Sequence, residues 1–289
     1  LSGILAASIM FGTTSCGDDF LKENANHTTT DALLETGAGA LAMAAGLYGN
    51  LRWHFGYEWA YAITLYGCDE FSMGSDETSL GWMDYNTAEM NPAGSSRRNH
   101  PSPADLWNEL YFGIATCNLL LQKAPLIASE QDRNSALGEA YFLRGLSYLY
   151  LVRNFREVPL ITEPYVDDAM PTDVPKSSEV EILEQIKSDV RAALATDAAK
   201  ETFNGTWATK GRATKWALYA LMAETCLWAE DYEECVTYAD YLINSTAPIR
   251  PVFMSTPGQW YNIFYPGNSN ESIFEIQYDE TNYAQGGLS

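Results

Sequence analysis

Two groups of side chains in this sequence combine flat apolar rings with planar hydrogen-bonding groups. The first is Trp82, Asp84, Tyr85 and Asn86; the second is Trp260, Tyr261 and Tyr265, with Asn262 and Phe264 among them. Aromatic faces stack on the C–H face of a pyranose, while carboxylates and carboxamides bond its hydroxyls. Both groups therefore suit an oligosaccharide. The same residues also suit packing, with a tryptophan anchoring its own loop against helices. Catalytic patterns are missing. His27, His54 and His100 are far apart and form no HExxH pair for zinc. The chain has no G-x-S-x-G elbow and no glycine-rich phosphate loop. Asp69-Glu70 could serve a glycosidase, whose acid and base need only the right separation in space. A helical glycoside hydrolase is thus one alternative, but no catalytic residue, metal site or cofactor is expected.

Cysteine chemistry points elsewhere. Residues 1–15, LSGILAASIMFGTTS, are apolar, rich in small residues and uncharged, and Cys16 comes directly after them, ahead of Gly17-Asp18-Asp19. Such a run is too short to span a bilayer as a helix but fits the core of a signal peptide. A cysteine directly after small residues is the arrangement for lipoprotein processing, so Cys16 is expected to carry the lipid, although Thr13 stands where a leucine is usual. Residues 16–30 then read as a lipidated polar tether. Cys68, Cys117, Cys226 and Cys235 show no C-x-x-C spacing. Cys117 and Cys226 lie in apolar helical stretches and read as small core residues. Cys226 and Cys235 could meet across a helical hairpin, but free thiols are expected.

Hydrophobic residues make up 46 % of the 289 residues, enough for a large core. The net charge is −21 with only 17 basic residues, which argues against nucleic acid as a partner.

The elements that would position these groups are mostly helices. Tyr141, Gly145, Tyr148, Val152 and Phe155 recur at intervals of four and three, and Phe142, Leu146 and Leu149 form a second row beside them. Arg144 and Arg153 interrupt these rows; a helix so widely apolar is buried on more than one side. Val158-Pro159 and Glu163-Pro164 make the segment after this helix an extended arm. Upstream, residues 105–123 put Trp107, Tyr111, Ile114 and Asn118 on one side, and Asn118 is expected to bond backbone or a neighbouring helix. A polar link around 129–135 joins the two helices as an antiparallel pair. Asp31 is expected to cap a helix running to about Tyr48, with Leu34, Leu41 and Tyr48 on one stripe. A second helix is expected at 59–65, and a long aromatic loop at 67–103 holds the first ring cluster. Ser178-Glu179-Val180-Glu181 is a capping box, opening a helix with Leu183, Ile186, Val190 and Leu194 inward. A link at 203–209 leads to a helix–turn–helix at 211–245. Trp216, Ala220, Ala223 and Leu227 line its first helix, Glu230-Asp231-Tyr232 turns, and Val236, Ala239 and Ile243 line its second. Its span and small residues look like one tetratricopeptide unit. After Pro248 helical patterning disappears, and 270–279 alternates as a strand.

The string AYFLRGLSYLYLVRNFREVPLITEP closely resembles the signature of the SusD/RagB family. Ala140, Leu143, Arg144, Tyr148, Leu151, Val152 and Phe155 fall in register, and Val158, Pro159, Leu160, Thr162 and Pro164 continue it. The pattern around Trp107, Tyr111, Ile114 and Asn118, the segment Gly211-Arg212-Ala213-Thr214 and the NESIFEIQYD segment resemble further family motifs. The resemblance implies a mainly α fold of tetratricopeptide-like hairpins, long irregular loops and a short β element near the C-terminal end. It implies a helical domain over 31–289, lacking the family's C-terminal part. It also implies a nutrient-binding lipoprotein, not an enzyme, anchored at the outer membrane and exposed on the cell surface. Such a protein passes an oligosaccharide or other nutrient to a TonB-dependent (SusC-like) transporter. No family motif fixes the ring clusters; they are chosen for their chemistry. A tetratricopeptide scaffold for protein partners alone is the remaining alternative.

Overall fold

The computed structural model describes residues 37–55, 103–165, 173–195 and 199–277. The described residues form α1 (Gly37–Phe55), α2 (Pro103–Lys123), α3 (Glu130–Phe155), β1 (Val158–Pro159), β2 (Lys176–Ser177) and α4 (Glu179–Ala195). They continue with α5 (Thr206–Gly211), α6 (Lys215–Trp228), α7 (Tyr232–Ile243) and α8 (Pro257–Phe264). The expected cap at Asp31, the helix at 59–65 and almost all of the loop at 67–103 lie outside the described residues. None of the described helices is long and apolar enough to cross a membrane.

Helix α3 is the axle, packed on α1, α2, α4 and α6. Both apolar rows are used: Phe142, Tyr148, Leu149 and Val152 are buried, and Tyr141, Leu146 and Phe155 pack partly buried around them. Gly145 lets α4 and α6 come close, since a Cβ there would stand 3.2 Å from the Leu221 side chain and 3.4 Å from that of Ile186. The helix begins earlier than the polar composition suggests. Ser129 accepts the Asp132 N–H at 3.2 Å, and Glu130 and Asp132 favour the positive end of the helix dipole.

Beyond α3 the chain runs extended, as its prolines require, and side chains of α2 and α3 hold it down. The Tyr111 hydroxyl donates to the Pro159 carbonyl at 2.6 Å. The Tyr148 hydroxyl donates to the Ile161 carbonyl at 2.9 Å and accepts the Ile161 N–H at 2.7 Å. Asn118 donates to the Ile161 and Glu163 carbonyls, at 2.9 and 3.4 Å. Val158–Pro159 also pairs antiparallel with Lys176–Ser177. Arg144 joins these parts. Its guanidinium donates twice to Asp189 on α4, at 2.8 and 2.6 Å, once to Asn118 at 2.8 Å and once to the Thr162 carbonyl at 3.2 Å. Both Arg144 and Asp189 are buried.

The capping box is present: Glu181 accepts the Ser178 backbone N–H at 2.8 Å, and Ser178 accepts the Glu181 N–H at 3.3 Å. The segment from Gly211 to Thr214 also has a physical role at each position. A Cβ on Gly211 would strike Gln277, Arg212 bonds the buried Glu139, Ala213 donates to the Tyr48 hydroxyl at 2.8 Å, and Thr214 caps α6.

The hairpin α6–α7 turns where expected, with Glu230 left-handed (φ 59°) and Asp231 accepting the Glu234 N–H as the cap of α7. Its faces differ from expectation. Helix α6 buries Ala217, Leu218, Leu221, Met222, Thr225 and Cys226 beside Trp216, and leaves Leu227 exposed. An almost uniformly apolar helix has no single stripe for periodicity to select. No residue of α7 is buried, and its expected inner row, Val236 and Ile243, faces solvent. Two further expectations fail after Pro248. The aromatic segment is a helix, α8, capped by Thr256 with Pro257 in its first turn. Residues 270–277 form no strand, because no partner strand lies beside them among the described residues. Their backbone-to-backbone bonds to other segments are isolated, Val252 N–H to the Asn270 carbonyl at 3.0 Å and Glu275 N–H to the Lys210 carbonyl at 2.8 Å, and do not form a ladder. Ile273, Phe274 and Ile276 all pack on the helical core instead of alternating. Among the described residues, the short β element is the β1–β2 pair at the foot of α3, before α4. Cys117, Cys226 and Cys235 are free thiols.

Lys187 of α4 clamps the hairpin: its ammonium lies 2.9 Å from Asp231, 3.5 Å from Glu234 and 3.1 Å from Glu184. Burial opposes this charge, but the hydrogen bonds to Asp231 and Glu184 outweigh it and hold the lysine protonated. The Lys187 hydrogen bond and the Glu234 N–H hold the Asp231 carboxyl below its ordinary 3.8. A depressed carboxyl stabilises the fold above its unfolded pKa, and that contribution is lost as pH falls through the lower folded value.

These contacts have two measurable outcomes. Arg144→Leu leaves the buried Asp189 without its counter-ion, so urea denaturation should show a loss of about 3–5 kcal/mol, partly recovered in Arg144→Leu/Asp189→Leu. Full wild-type stability of the single variant would remove the pair from its central place. Acid titration monitored by circular dichroism should show the clamp loosening below pH 3.8. Asp231→Asn should melt lower at pH 7 and lose that part of the acid transition; an unchanged acid profile would assign the transition to other carboxylates.

Candidate functional site

The aromatic row of α8 is the part of the expected site that the structure describes. The N-terminus of this helix is fixed twice: Thr256 accepts the Gln259 N–H at 3.3 Å, and Gln259 in turn accepts from the Ser255 N–H and hydroxyl. Residues four apart share a helix side, so Trp260 stands beside Phe264 and Tyr261 beside Tyr265. The first pair meets edge to face at 4.9 Å and the second is tilted at 6.3 Å. None of the four is packed away: Trp260 is 58 % exposed, Tyr261 59 %, Phe264 67 % and Tyr265 69 %. Four large rings on a short surface helix contribute little to a core. They leave aromatic surface and phenolic hydroxyls open to a ligand.

The turn after α8 is held by polar groups that already satisfy one another. Glu275 accepts the Asn268 N–H with both oxygens, at 3.0 and 2.9 Å, and the Asn268 and Gln277 carboxamides bond reciprocally at 3.1 and 2.9 Å. These groups brace the row and do not point to a ligand. Trp82, Asp84, Tyr85 and Asn86 lie outside the described residues, as do Cys16 and the Asp69-Glu70 pair.

Sequence reasoning missed two features. Tyr219, Tyr238 and Tyr241 form a knot between α6 and α7, with centroids 5.1 to 5.9 Å apart. Trp216 meets Tyr219 at 6.2 Å. The i, i+3 spacing within each helix was the available signal. The second is a groove of about 360 Å³ between α7 and the chain after it, lined by Leu242, Ile243, Pro251, Val252 and Phe253 together with Arg250 and Glu271.

Among the described residues, Cys226, Asp231 and Glu234 have the right atoms for a metal, all within 4.8 Å of one another. Their chemistry is otherwise. The Lys187 ammonium already supplies the cation, and burial, with the Glu234 charge second, pushes the Cys226 thiol up to about 12, far from a thiolate ligand. The trio is a structural clamp.

Comparison with known proteins agrees with this architecture. A SusD-like family model described as "Starch-binding associating with outer membrane" matches residues 68–227, more than half of the chain. SusD-like protein P38 of Formosa agariphila is 31 % identical over 188 residues, which are 60 % of this chain and 34 % of that protein. A laminarin-binding SusD-like protein superposes with a TM-score of 0.61 at 24 % identity, over 72 % of this chain and 44 % of its own. A SusD superfamily protein from Bacteroides vulgatus superposes with a TM-score of 0.68 at 19 % identity, over 86 % of this chain and 52 % of its own. The chain thus spans about a third of that curated relative and about half of these solved neighbours. With its α3 motif, its arm and its helical architecture in place, the chain belongs to the SusD-like family.

Proposed function

We propose that this chain is the helical part of a cell-surface lipoprotein that captures oligosaccharide and hands it to a TonB-dependent, SusC-like transporter in the outer membrane. The observation that carries the reading is the exposed row of Trp260, Tyr261, Phe264 and Tyr265, in a chain whose family is described as starch-binding and associating with the outer membrane. Trp260, Tyr261 and Tyr265 form one half of the glycan site, and Trp82, Asp84, Tyr85 and Asn86 supply the other. The rings stack on sugar faces, and the carboxylate and carboxamide select hydroxyls. No turnover is needed, since the bound glycan leaves chemically unchanged.

The other parts of the reading rest on the same family pattern. Residues 1–15 are the leader, Cys16 carries the lipid and 16–30 is the tether. The domain over 31–289 is the helical portion of a longer polypeptide, and the α6–α7 hairpin is a tetratricopeptide-like unit within it. Support for that unit is the tight turn at Glu230 and the seating of α6 on α7 through Tyr219, Tyr238 and Tyr241.

Starch and laminarin, named in the family description and in one structural neighbour, are the first glycans to test. Calorimetry should show Trp260→Ala and Tyr261→Ala each weakening binding about tenfold, the ~1.4 kcal/mol of one stacked ring, with unchanged helicity. Trp82→Ala should weaken binding at least as much. Unaltered affinity in all three variants would exclude these rings, and new reducing ends during incubation would indicate a hydrolase. Pull-down of the lipidated protein from outer membranes in mild detergent should bring a large β-barrel protein with it. Recovery of the lipoprotein alone, even after cross-linking, would count against the transporter partnership.

A further inference from the structure

Helix α8 carries the ring row with almost no core beneath it. None of its residues is buried, and Ile263 alone is partly covered. A helix this short does not hold itself in water, because the cost of nucleation outweighs so few propagating bonds. Its order must come from the chain on either side.

The segment 270–277 supplies that order, and it is itself fastened to the helical body. Phe274 meets Phe142 edge to face at 5.2 Å and Tyr48 at 6.3 Å, and Ile273 and Ile276 pack on the same core. The Ser272 carbonyl accepts from the Lys210 ammonium, and the Glu275 N–H donates to the Lys210 carbonyl at 2.8 Å. From this fixed segment two carboxylates reach opposite ends of the loop that bears the rings. Glu271 accepts the Met254 N–H at 2.6 Å, just before α8, where the Val252 N–H also donates to the Asn270 carbonyl at 3.0 Å. Glu275 accepts the Asn268 N–H with both oxygens, at 3.0 and 2.9 Å, just after α8. The exit turn is shaped around that second carboxylate. Gly267 and Asn268 are both left-handed (φ 79° and 54°), and a Cβ on Gly267 would stand 3.2 Å from a Glu275 oxygen. The loop 254–268 is thus closed at both ends by side chains of one segment, as in a compact loop whose ends lie close together.

A carboxylate beside aromatic rings could instead take sugar hydroxyls directly. The bonds made here point the other way: both Glu275 oxygens and one of Glu271 already hold backbone N–H groups. We infer that Glu271 and Glu275 are positioning residues of the ring row, clasping the two ends of its loop so that α8 is folded before a ligand arrives. This rests on the reading of the row as a glycan-binding surface. A loop ordered beforehand loses less freedom on binding, so the clasp acts on affinity without touching the sugar.

The test compares Glu271→Ala and Glu275→Ala with Glu271→Gln and Glu275→Gln in the full-length protein. Amide hydrogen exchange over 257–265, thermal melting and calorimetry with laminarin and starch oligosaccharides are read on each. In the alanine variants exchange should quicken and glycan affinity fall, each about tenfold, with the melting temperature of the helical core unchanged. The glutamine variants keep a carboxamide oxygen for the N–H and should recover most of both. Unchanged exchange in both alanine variants would overturn the inference. Glutamine variants that keep slow exchange but bind as weakly as the alanine ones would assign the carboxylates to the ligand itself, which also overturns it. Faster exchange in the alanine variants, with neither glycan bound by the wild type, would uphold the clasp and count against the glycan reading alone.

Discussion

The structure depends on one buried ion pair, Arg144 with Asp189. A guanidinium and a carboxylate out of water are costly unless each nitrogen finds a partner and the geometry is bidentate. Here both conditions hold: Asp189 takes two bonds, Asn118 and the Thr162 carbonyl take one each, and Gln185 adds a further donor to the carboxylate at 2.8 Å. One side chain thereby joins α2, α3, α4 and the arm after α3. An apolar residue of similar size would fill the same space but could not choose among registers of those four segments. The pair acts as a selector, and the apolar rows around it supply the bulk of the stabilisation.

Much of this was legible in the sequence, and the reasons differ by element. Helices α2, α3 and α4 declared themselves through periodic apolar rows and, for α4, the Ser178–Glu181 box. The prolines after Val158 and Glu163 forecast the arm. Asn118 was read as bonding backbone or a neighbouring helix, and it does both. What escaped were contacts set by distant segments. The start of α3 at Glu130 hid in polar residues, because capping and dipole effects outweigh composition over one turn. The alternation at 270–277 mimicked a strand, although a chain lying on helices can bury adjacent residues from either parity. Helix α8 was invisible because four rings in six positions leave no polar face to define a period.

The site was legible in residue type and only partly in arrangement. A cluster such as Trp260, Tyr261 and Tyr265 has the same composition whether it forms a core or a platform, and exposure separates the two. The opposite error occurred on α7, where Val236 and Ile243 read as inward. Periodicity reports that a face is apolar, and the neighbours decide whether anything lies against it.

Gly145 has a consequence for how relatives of this chain can diverge. Its missing side chain is the space in which Leu221 of α6 and Ile186 of α4 both sit, so three helices meet at one point without a spacer. A methyl group added there would press first on Leu221, which would have to give by a few tenths of an ångström, and would come into close contact with Ile186. An alanine at 145 therefore goes most easily with a smaller side chain at 221, with 186 the lesser partner. Across an alignment of such proteins these columns, far apart in the chain, would share a constraint on volume.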